Sequence, residues 1–215
     1  MTRFFLVRHG ETDWNKNRII QGVSDIPLND TGRAQAAAVG AILARHRFDL
    51  LVSSPLSRAL ETAMIIARRL NMPAPVIVPE LIERNYGDAE GSSGLDLDAR
   101  YPAGMEVPGR ESREAVTARV VRIMHDLAIR HPEADILAVA HGGVIRSVVE
   151  HAAPGLHREP ITNCSVHSFS LVAGSLELVA FDDPMEVASH DLAEEEFEEQ
   201  NPLEAREVGS RGERR

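Results

Sequence analysis

Three short stretches carry side chains suited to chemistry on an anion: Arg8-His9-Gly10, Ser53-Ser54-Pro55-Leu56-Ser57-Arg58 and His141-Gly142-Gly143. Arginine presents a planar fork of donors that matches phosphate oxygens. A glycine after each histidine lets backbone N–H groups approach an anion, and a helix start adds a favourable dipole. A histidine aimed into such a cradle can attack phosphorus and take the phosphoryl group. It must be unprotonated to attack, and neighbouring arginines lower its pKa. The leaving alkoxide needs a proton, which a carboxylic acid can supply. Glu83, in Leu81-Ile82-Glu83-Arg84, is a candidate, with Glu80 and Glu90 as local rivals. The set points to phosphoryl transfer without a metal.

These residues need a scaffold that brings them to one rim. Phe4-Phe5-Leu6-Val7 reads as a buried strand entering a loop. The alanine-rich run from Thr31 to His46 favours a helix capped by Asp30 or Thr31. Further strands are expected at 49–53, 75–78 and 136–140, and further helices at 55–70, 111–130 and 144–151. Residues 165–172 and 176–181, split by Ala173-Gly174-Ser175, read as a hairpin. Residues 84–110 contain several Gly and Pro and little periodicity, so they read as an irregular, lid-like insertion. Strands alternating with helices imply an α/β sheet covered on both faces. Ligands bind such sheets outside the carboxyl ends of the strands, where the three stretches and Glu83 fall.

Composition narrows the class. The 215 residues carry a net charge of −10 and 43% hydrophobic residues, enough to bury a real core. The charge is uneven: residues 186–215 hold ten acids against four arginines, or −6, and residues 1–185 hold only −4. The expected organisation is therefore a catalytic domain over 1–185 and an acidic tail over 186–215. That tail should be mobile, or at best a frayed helix around residues 193–200. The acidic balance argues against nucleic-acid and anionic-membrane partners. The lack of a long apolar run or a signal-peptide pattern, together with the single cysteine Cys164, reads as cytoplasmic. Cys164 reads as buried filler, and His46, His125, His131, His151, His157, His167 and His190 as surface or packing residues. Arg58 falls near a helix start, where the dipole disfavours a cation, so an anionic ligand explains it better.

The stretches LVRHGETDWN (6–15), QGVSDIPLNDTGRAQA (21–36), VSSPLSRALETA (52–63), LIERNYGDAEG (81–91), PGRES (108–112), VAHGGVIR (139–146) and NCSV (163–166) follow one another in a familiar order. In them the chain resembles the histidine phosphatase superfamily, with its phosphoglycerate-mutase-like fold. The resemblance implies a three-layer α/β/α sandwich whose six-stranded mixed sheet has helices on both faces and one antiparallel strand. It implies that His9 is the phosphorylated nucleophile, that Arg8, Arg58 and His141 bind the phosphoryl oxygens, and that Asn15 donates nearby. It singles out Glu83 as the acid that protonates the leaving group and then activates water. It assigns Gln21, Gly22, Ser24 and Gly142 to the pocket wall, and Arg84 and Tyr86 to substrate binding. No metal or other cofactor is implied, and the expected partner is a small phosphorylated metabolite.

The superfamily contains both phosphatases and cofactor-dependent phosphoglycerate mutases. A mutase retains bisphosphoglycerate long enough to reorient it, under a longer insertion that carries a lysine and an arginine pair. Here residues 85–99 have no basic side chain, and Arg100, Arg110 and Arg113 are scattered along the chain. A short lid leaves a phosphoenzyme open to water, which favours a phosphatase. Against this, Glu83-Arg84-Asn85-Tyr86-Gly87 resembles the mutase stretch, so a mutase primed by 2,3-bisphosphoglycerate stays as the alternative. A phosphate-binding module without catalysis is the reading from a different class.

Overall fold

The computed structural model describes residues 1–182 and 201–210. Its sheet has six strands: β1 (Thr2–Arg8), β2 (Leu50–Ser53), β3 (Val76–Ile77), β4 (Asp135–Ala140), β5 (Val166–Val172) and β6 (Ser175–Ala180), in the order β3-β2-β4-β1-β5-β6. β1 runs parallel to β4, and β2 runs parallel to both β4 and β3. β5 runs antiparallel to both of its neighbours, β1 and β6, and the turn at Ala173-Gly174 joins it to β6. The sheet is thus mixed, as the family resemblance implied.

Alternation along the central strands explains the two helical layers. Phe4 and Leu6 of β1 and Ile136, Ala138 and Ala140 of β4 join one core cluster with Val116, Val120, Met124 and Leu127 of α5 (Arg113–Arg130). Val144, Ile145 and Val148 of α6 (Gly142–Ala152) complete that face. Phe5 and Val7 of β1 and Leu137 and Val139 of β4 point the other way. They pack on Val39 and Leu43 of α2 (Asp30–Leu43) and on Ala59, Ala63 and Ile66 of α3 (Ser57–Leu70). Successive strand side chains face opposite sides, so strands apolar at every position must be covered twice.

Several local features differ from the sequence expectation. The cap of α2 is Asn29, whose side chain accepts from the Gly32 N–H at 2.8 Å, one residue before the positions read as caps. A one-turn helix, α1 (Asp13–Lys16), follows β1 and is closed by a capping box between Thr12 and Asn15. The insertion at 84–110 is not wholly irregular. It contains a 3₁₀ turn at Gly87–Ala89 and the helix α4 (Gly94–Arg100), started by a Ser93–Asp96 capping box.

The tail differs most. Residues Pro202–Ser210 form helix α7, which the insertion receives in a small third core of Ile20, Tyr86, Ala89, Leu97, Tyr101, Val107 and Leu203. The mobility expected of the tail therefore does not hold for 201–210, because Leu203 finds an apolar seat and the acids find arginines. The frayed helix expected around 193–200 lies outside the described residues. No helix among the described residues is long and apolar enough to cross a membrane.

Candidate active site

The carboxyl ends of β1, β2 and β4 open on one rim and deliver Arg8, the loop leading to Arg58, and His141. The cavity there is lined by Arg8, His9, Asn15, Gln21, Gly22, Arg58, Glu83 and Gly142 among others. The residues read from three separate stretches therefore share one pocket.

His9 is 2% exposed. Its Nδ1 lies 2.7 Å from the Gly10 carbonyl, which can only accept, so Nδ1 carries the proton. Its Nε2 lies 3.2 Å from the Nε of Arg58, which can only donate, so Nε2 carries the lone pair. The ring is thereby held in the tautomer whose lone pair is on Nε2. Burial, then the charges of Arg58 and Arg8, push its pKa well below the usual histidine value and keep it neutral. Asn163 steadies the backbone here, donating from Nδ2 to the His9 carbonyl at 2.9 Å.

Arg58 is fully buried near the start of α3. Its Nη1 and Nη2 donate to the carbonyls of Ser24 at 2.8 Å and Gly22 at 2.7 Å. Burial lowers its pKa to about 10, so it stays cationic at neutral pH. Gly22 holds a left-handed backbone with φ of +57°, and a Cβ there would come 2.0 Å from the Glu90 carboxylate. Glu90 itself accepts from the backbone N–H groups of Val23, Ser24 and Tyr86, which ties the 21–24 loop to the insertion. That structural task removes Glu90 as a rival to Glu83. Arg8 is 5% exposed and donates from Nη1 to the Ile161 carbonyl at 2.5 Å.

Glu83 is 6% exposed, and its carboxyl accepts from three backbone N–H groups: Arg84 at 2.8 Å, Gly143 at 3.1 Å and Val144 at 3.1 Å. Gly143 and Val144 belong to the first turn of α6, whose N–H groups have no partner within the helix. Burial raises the Glu83 pKa and outweighs these donors and Arg58, all of which lower it. Burial thus works in favour of the protonated acid, and three N–H groups stand ready for the carboxylate that remains once the proton leaves. Gly143 allows this approach, because a Cβ there would lie 2.6 Å from the Tyr86 hydroxyl and 2.7 Å from Glu83 Oε1.

His141 stands beside His9, with ring centroids 5.2 Å apart, just behind the cavity wall rather than in it. Its Nε2 is 2.7 Å from Ser54 Oγ, and its buried Nδ1 has no partner among the described residues. Ser54 Oγ also accepts from the Leu56 N–H, and when it gives its own proton to His141 Nε2 the imidazole N–H sits at Nδ1. A phosphoryl oxygen is the kind of acceptor that an unmatched buried donor requires. Asn15 lines the cavity, and its Oδ1 is held by the Thr12 N–H at 3.2 Å, leaving its NH₂ for an anion.

Not every expected residue reaches the pocket surface. Ser24 serves through its carbonyl beneath Arg58, and its hydroxyl bonds Glu90 at 2.5 Å. Arg84 and Tyr86 lie under α7, bonded to Glu204 of that helix. Arg110 and Arg113, far apart in sequence from Arg84, join it there through Glu207. The cavity also includes Gly143, from the third stretch, and Ile19, Arg146, Asn201 and Glu204, which sequence reasoning missed. Arg146 had a signal, since it lies four residues past Gly142 and hence on the same helix face. Glu204 had none, as it is one acid among many in a charged tail.

Elsewhere, His46 pairs with Asp135 at 2.6 Å at the far end of β4. His167 is buried against Ser165 and Phe181. Burial pushes the Cys164 thiol up to about 12, which keeps it inert near neutrality.

The model of the histidine phosphatase superfamily (branch 1) matches residues 4–184. The uncharacterized phosphatase PhoE of Bacillus subtilis is 40% identical over 155 residues, which cover 72% of this chain and 79% of the relative. A 2,3-bisphosphoglycerate-dependent phosphoglycerate mutase of Cytophaga hutchinsonii is 30% identical over 199 residues, covering 86% and 90%. Among solved structures, a mycobacterial glucosyl-3-phosphoglycerate phosphatase in complex with VO₃ superposes with a TM-score of 0.77 at 28% identity, covering 84% of this chain and 98% of that one.

Proposed function

This chain belongs to the histidine phosphatase superfamily, and from that premise we propose that it hydrolyses small phosphomonoesters in the cytoplasm through a phosphohistidine on His9, without a metal ion. The observation that carries the reading is the fixed tautomer of His9, with the Nε2 lone pair presented in one pocket with two guanidiniums and a buried carboxylic acid.

The substrate phosphoryl group displaces the Arg58 donor from Nε2 and takes its oxygens to Arg8, Arg58, Asn15 and the His141 Nδ1–H. Nε2 of His9 then attacks phosphorus, the P–N bond forms and the ester P–O bond breaks. Glu83 gives its proton to the departing oxygen, and its carboxylate is received by the three backbone N–H groups. The leaving group departs and water enters. Glu83 takes a proton from that water as it attacks phosphorus, the P–N bond breaks, and inorganic phosphate leaves with His9 neutral again. The guanidiniums and imidazole N–H supply the charge stabilisation that a metal supplies in other phosphoryl-transfer sites. Among the described residues no group of three or more His, Cys, Asp or Glu is arranged to hold a metal ion.

The test is p-nitrophenyl phosphate turnover in the presence of EDTA, with acid-labile, alkali-stable phosphate trapped on His9. Activity that survives His9→Ala, or that requires an added divalent metal, sinks the reading. A mutase remains the second reading because Glu83-Arg84-Asn85-Tyr86-Gly87 and the Cytophaga relative both favour it. Isomerisation of 3-phosphoglycerate outpacing phosphate release, given 2,3-bisphosphoglycerate as primer, would establish it instead.

A further inference from the structure

Helix α7 does more than cover the insertion, because it places a carboxylate inside the phosphoryl pocket. Glu204 is 3% exposed and lines the same cavity as His9 and Glu83. Its Oε1 accepts from Arg84 Nη1 at 2.9 Å and from the Tyr86 hydroxyl at 2.8 Å. Its Oε2 accepts from Arg113 Nη2. Glu207, one turn on, accepts from Arg84 at 2.9 and 3.1 Å, from Arg110 at 2.9 Å and from Arg113 at 2.8 Å. Arg84 is 2% exposed, with its Nε spent on the Glu111 carbonyl. Leu203, 1% exposed, anchors the helix in its apolar seat.

Without the two glutamates, three guanidiniums and a phenol would converge beside the phosphoryl cradle with the donors that Glu204 and Glu207 now hold left open. Arginine forks are matched to carboxylates, so this cluster is an anion receptor, and in the folded chain the receptor is filled from within. A substrate that carried its own carboxylate next to the phosphoester would have to expel Glu204. It would then leave that side chain buried beside a second negative charge.

We propose that Glu204 is a specificity-determining residue whose carboxylate occupies the anion-binding donors of Arg84, Arg113 and Tyr86. The enzyme consequently prefers phosphomonoesters whose leaving group is uncharged over those bearing a carboxylate a few atoms from phosphorus. The proposal rests on the phosphomonoesterase reading above, and it assigns the class of substrate to that same site.

Two compounds isolate the point: sn-glycerol 1-phosphate has the C2 configuration of D-3-phosphoglycerate and differs from it only by a CH₂OH in place of the carboxylate. For the wild-type chain, kcat/KM should favour sn-glycerol 1-phosphate by about tenfold or more. In Glu204→Gln the ratio should move toward 3-phosphoglycerate by a similar factor, chiefly through its KM. Taking the ratio within one variant cancels any general loss of activity. Leu203→Asp, which unseats α7 without altering the Glu204 side chain itself, should move the ratio in the same direction, with faster amide hydrogen exchange over 203–210 confirming release. A wild-type preference for 3-phosphoglycerate, or a ratio unchanged in Glu204→Gln, overturns the proposal. Calorimetric binding of the two compounds to His9→Ala and His9→Ala/Glu204→Gln reads the same preference without catalysis. A wild-type protein that turns over no phosphomonoester would thus defeat the enzymatic reading while binding still decides this one.

Discussion

The Nε of Arg58 lies 3.2 Å from Nε2 of His9, so one guanidinium both fixes the tautomer of this histidine and sits on its lone pair. The same guanidinium spans the carbonyls of Gly22 and Ser24. It therefore joins the start of α3, the loop after α1 and the tip of β1 into one rigid site.

Replacing Arg58 with alanine should lower kcat/KM for p-nitrophenyl phosphate by about 10²–10³, the cost of removing one preorganised donor to transition-state charge. It should also cost about 2 kcal/mol of stability, because two buried carbonyls lose their donor. Arg58→Lys should recover little activity, since one ammonium cannot serve His9, Gly22 and Ser24 together. Steady-state kinetics and urea unfolding check both parts, and near-wild-type kcat/KM in Arg58→Ala would contradict the role.

Glu83→Gln removes a proton donor and keeps the shape. Loss of a general acid costs about 10²–10⁴ in rate where the leaving group is a poor one. The expected pattern is a large loss of kcat with an alkyl phosphate and a small loss with p-nitrophenyl phosphate, whose leaving anion needs no proton. Equal losses on the two substrates would remove Glu83 from the proton-donor role.

Activity with an alkyl phosphate should be bell-shaped in pH. His9 must be neutral, and burial with Arg58 and Arg8 holds its pKa well below 6.5, so the acid limb falls as pH drops through that lowered value. Glu83 must be protonated, and burial holds its pKa above 4.5, so the alkaline limb falls as pH rises through that raised value. In Glu83→Gln the alkaline limb of kcat should vanish. A profile whose alkaline limb is the same in both proteins would show that another group controls it.

Gly143→Ala places a methyl 2.7 Å from Glu83 Oε1 and 2.6 Å from the Tyr86 hydroxyl. Something must shift, and Glu83 is the side chain held by the Gly143 N–H. The variant should fold, lose kcat with alkyl phosphates, and still accumulate phosphohistidine from p-nitrophenyl phosphate. Quench-flow trapping of the phosphoenzyme would expose the opposite result, namely loss of phosphorylation itself.

Phe169 of β5 is fully buried in the core beneath α5 and α6. Truncation to alanine should cost about 3–5 kcal/mol in denaturant unfolding. The folded fraction should keep its kinetic constants, since Phe169 is absent from the cavity wall.

The amino-acid sequence by itself determined the sheet, its two helical layers and most of the reacting groups. Phe4 to Val7 and Ile136 to Ala140 are apolar at every position, and only a strand covered on both faces can bury such a run. Arg8, Arg58 and His141 sit immediately after such strands or at the following helix start, so one rule about strand ends brings them together. Glu83 was legible only through resemblance. Its chemistry depends on burial and on N–H groups of α6, 60 residues away for Gly143.

What the tertiary structure alone decided lies in long-range pairing of charges. Arg84 meets Glu204 across 120 residues, and Arg113 meets the same side chain across 91. Nothing in a charge-dense tail marks which glutamate will find a buried arginine, because composition records how many charges there are and not their partners. A polar segment reads as solvated until the fold supplies Leu203 with an apolar seat and the two acids with guanidiniums already out of water. The net charge of −10 is a sum over the chain; the field at the pocket is set by the few groups within reach of it, and their positions exist only once the chain has folded.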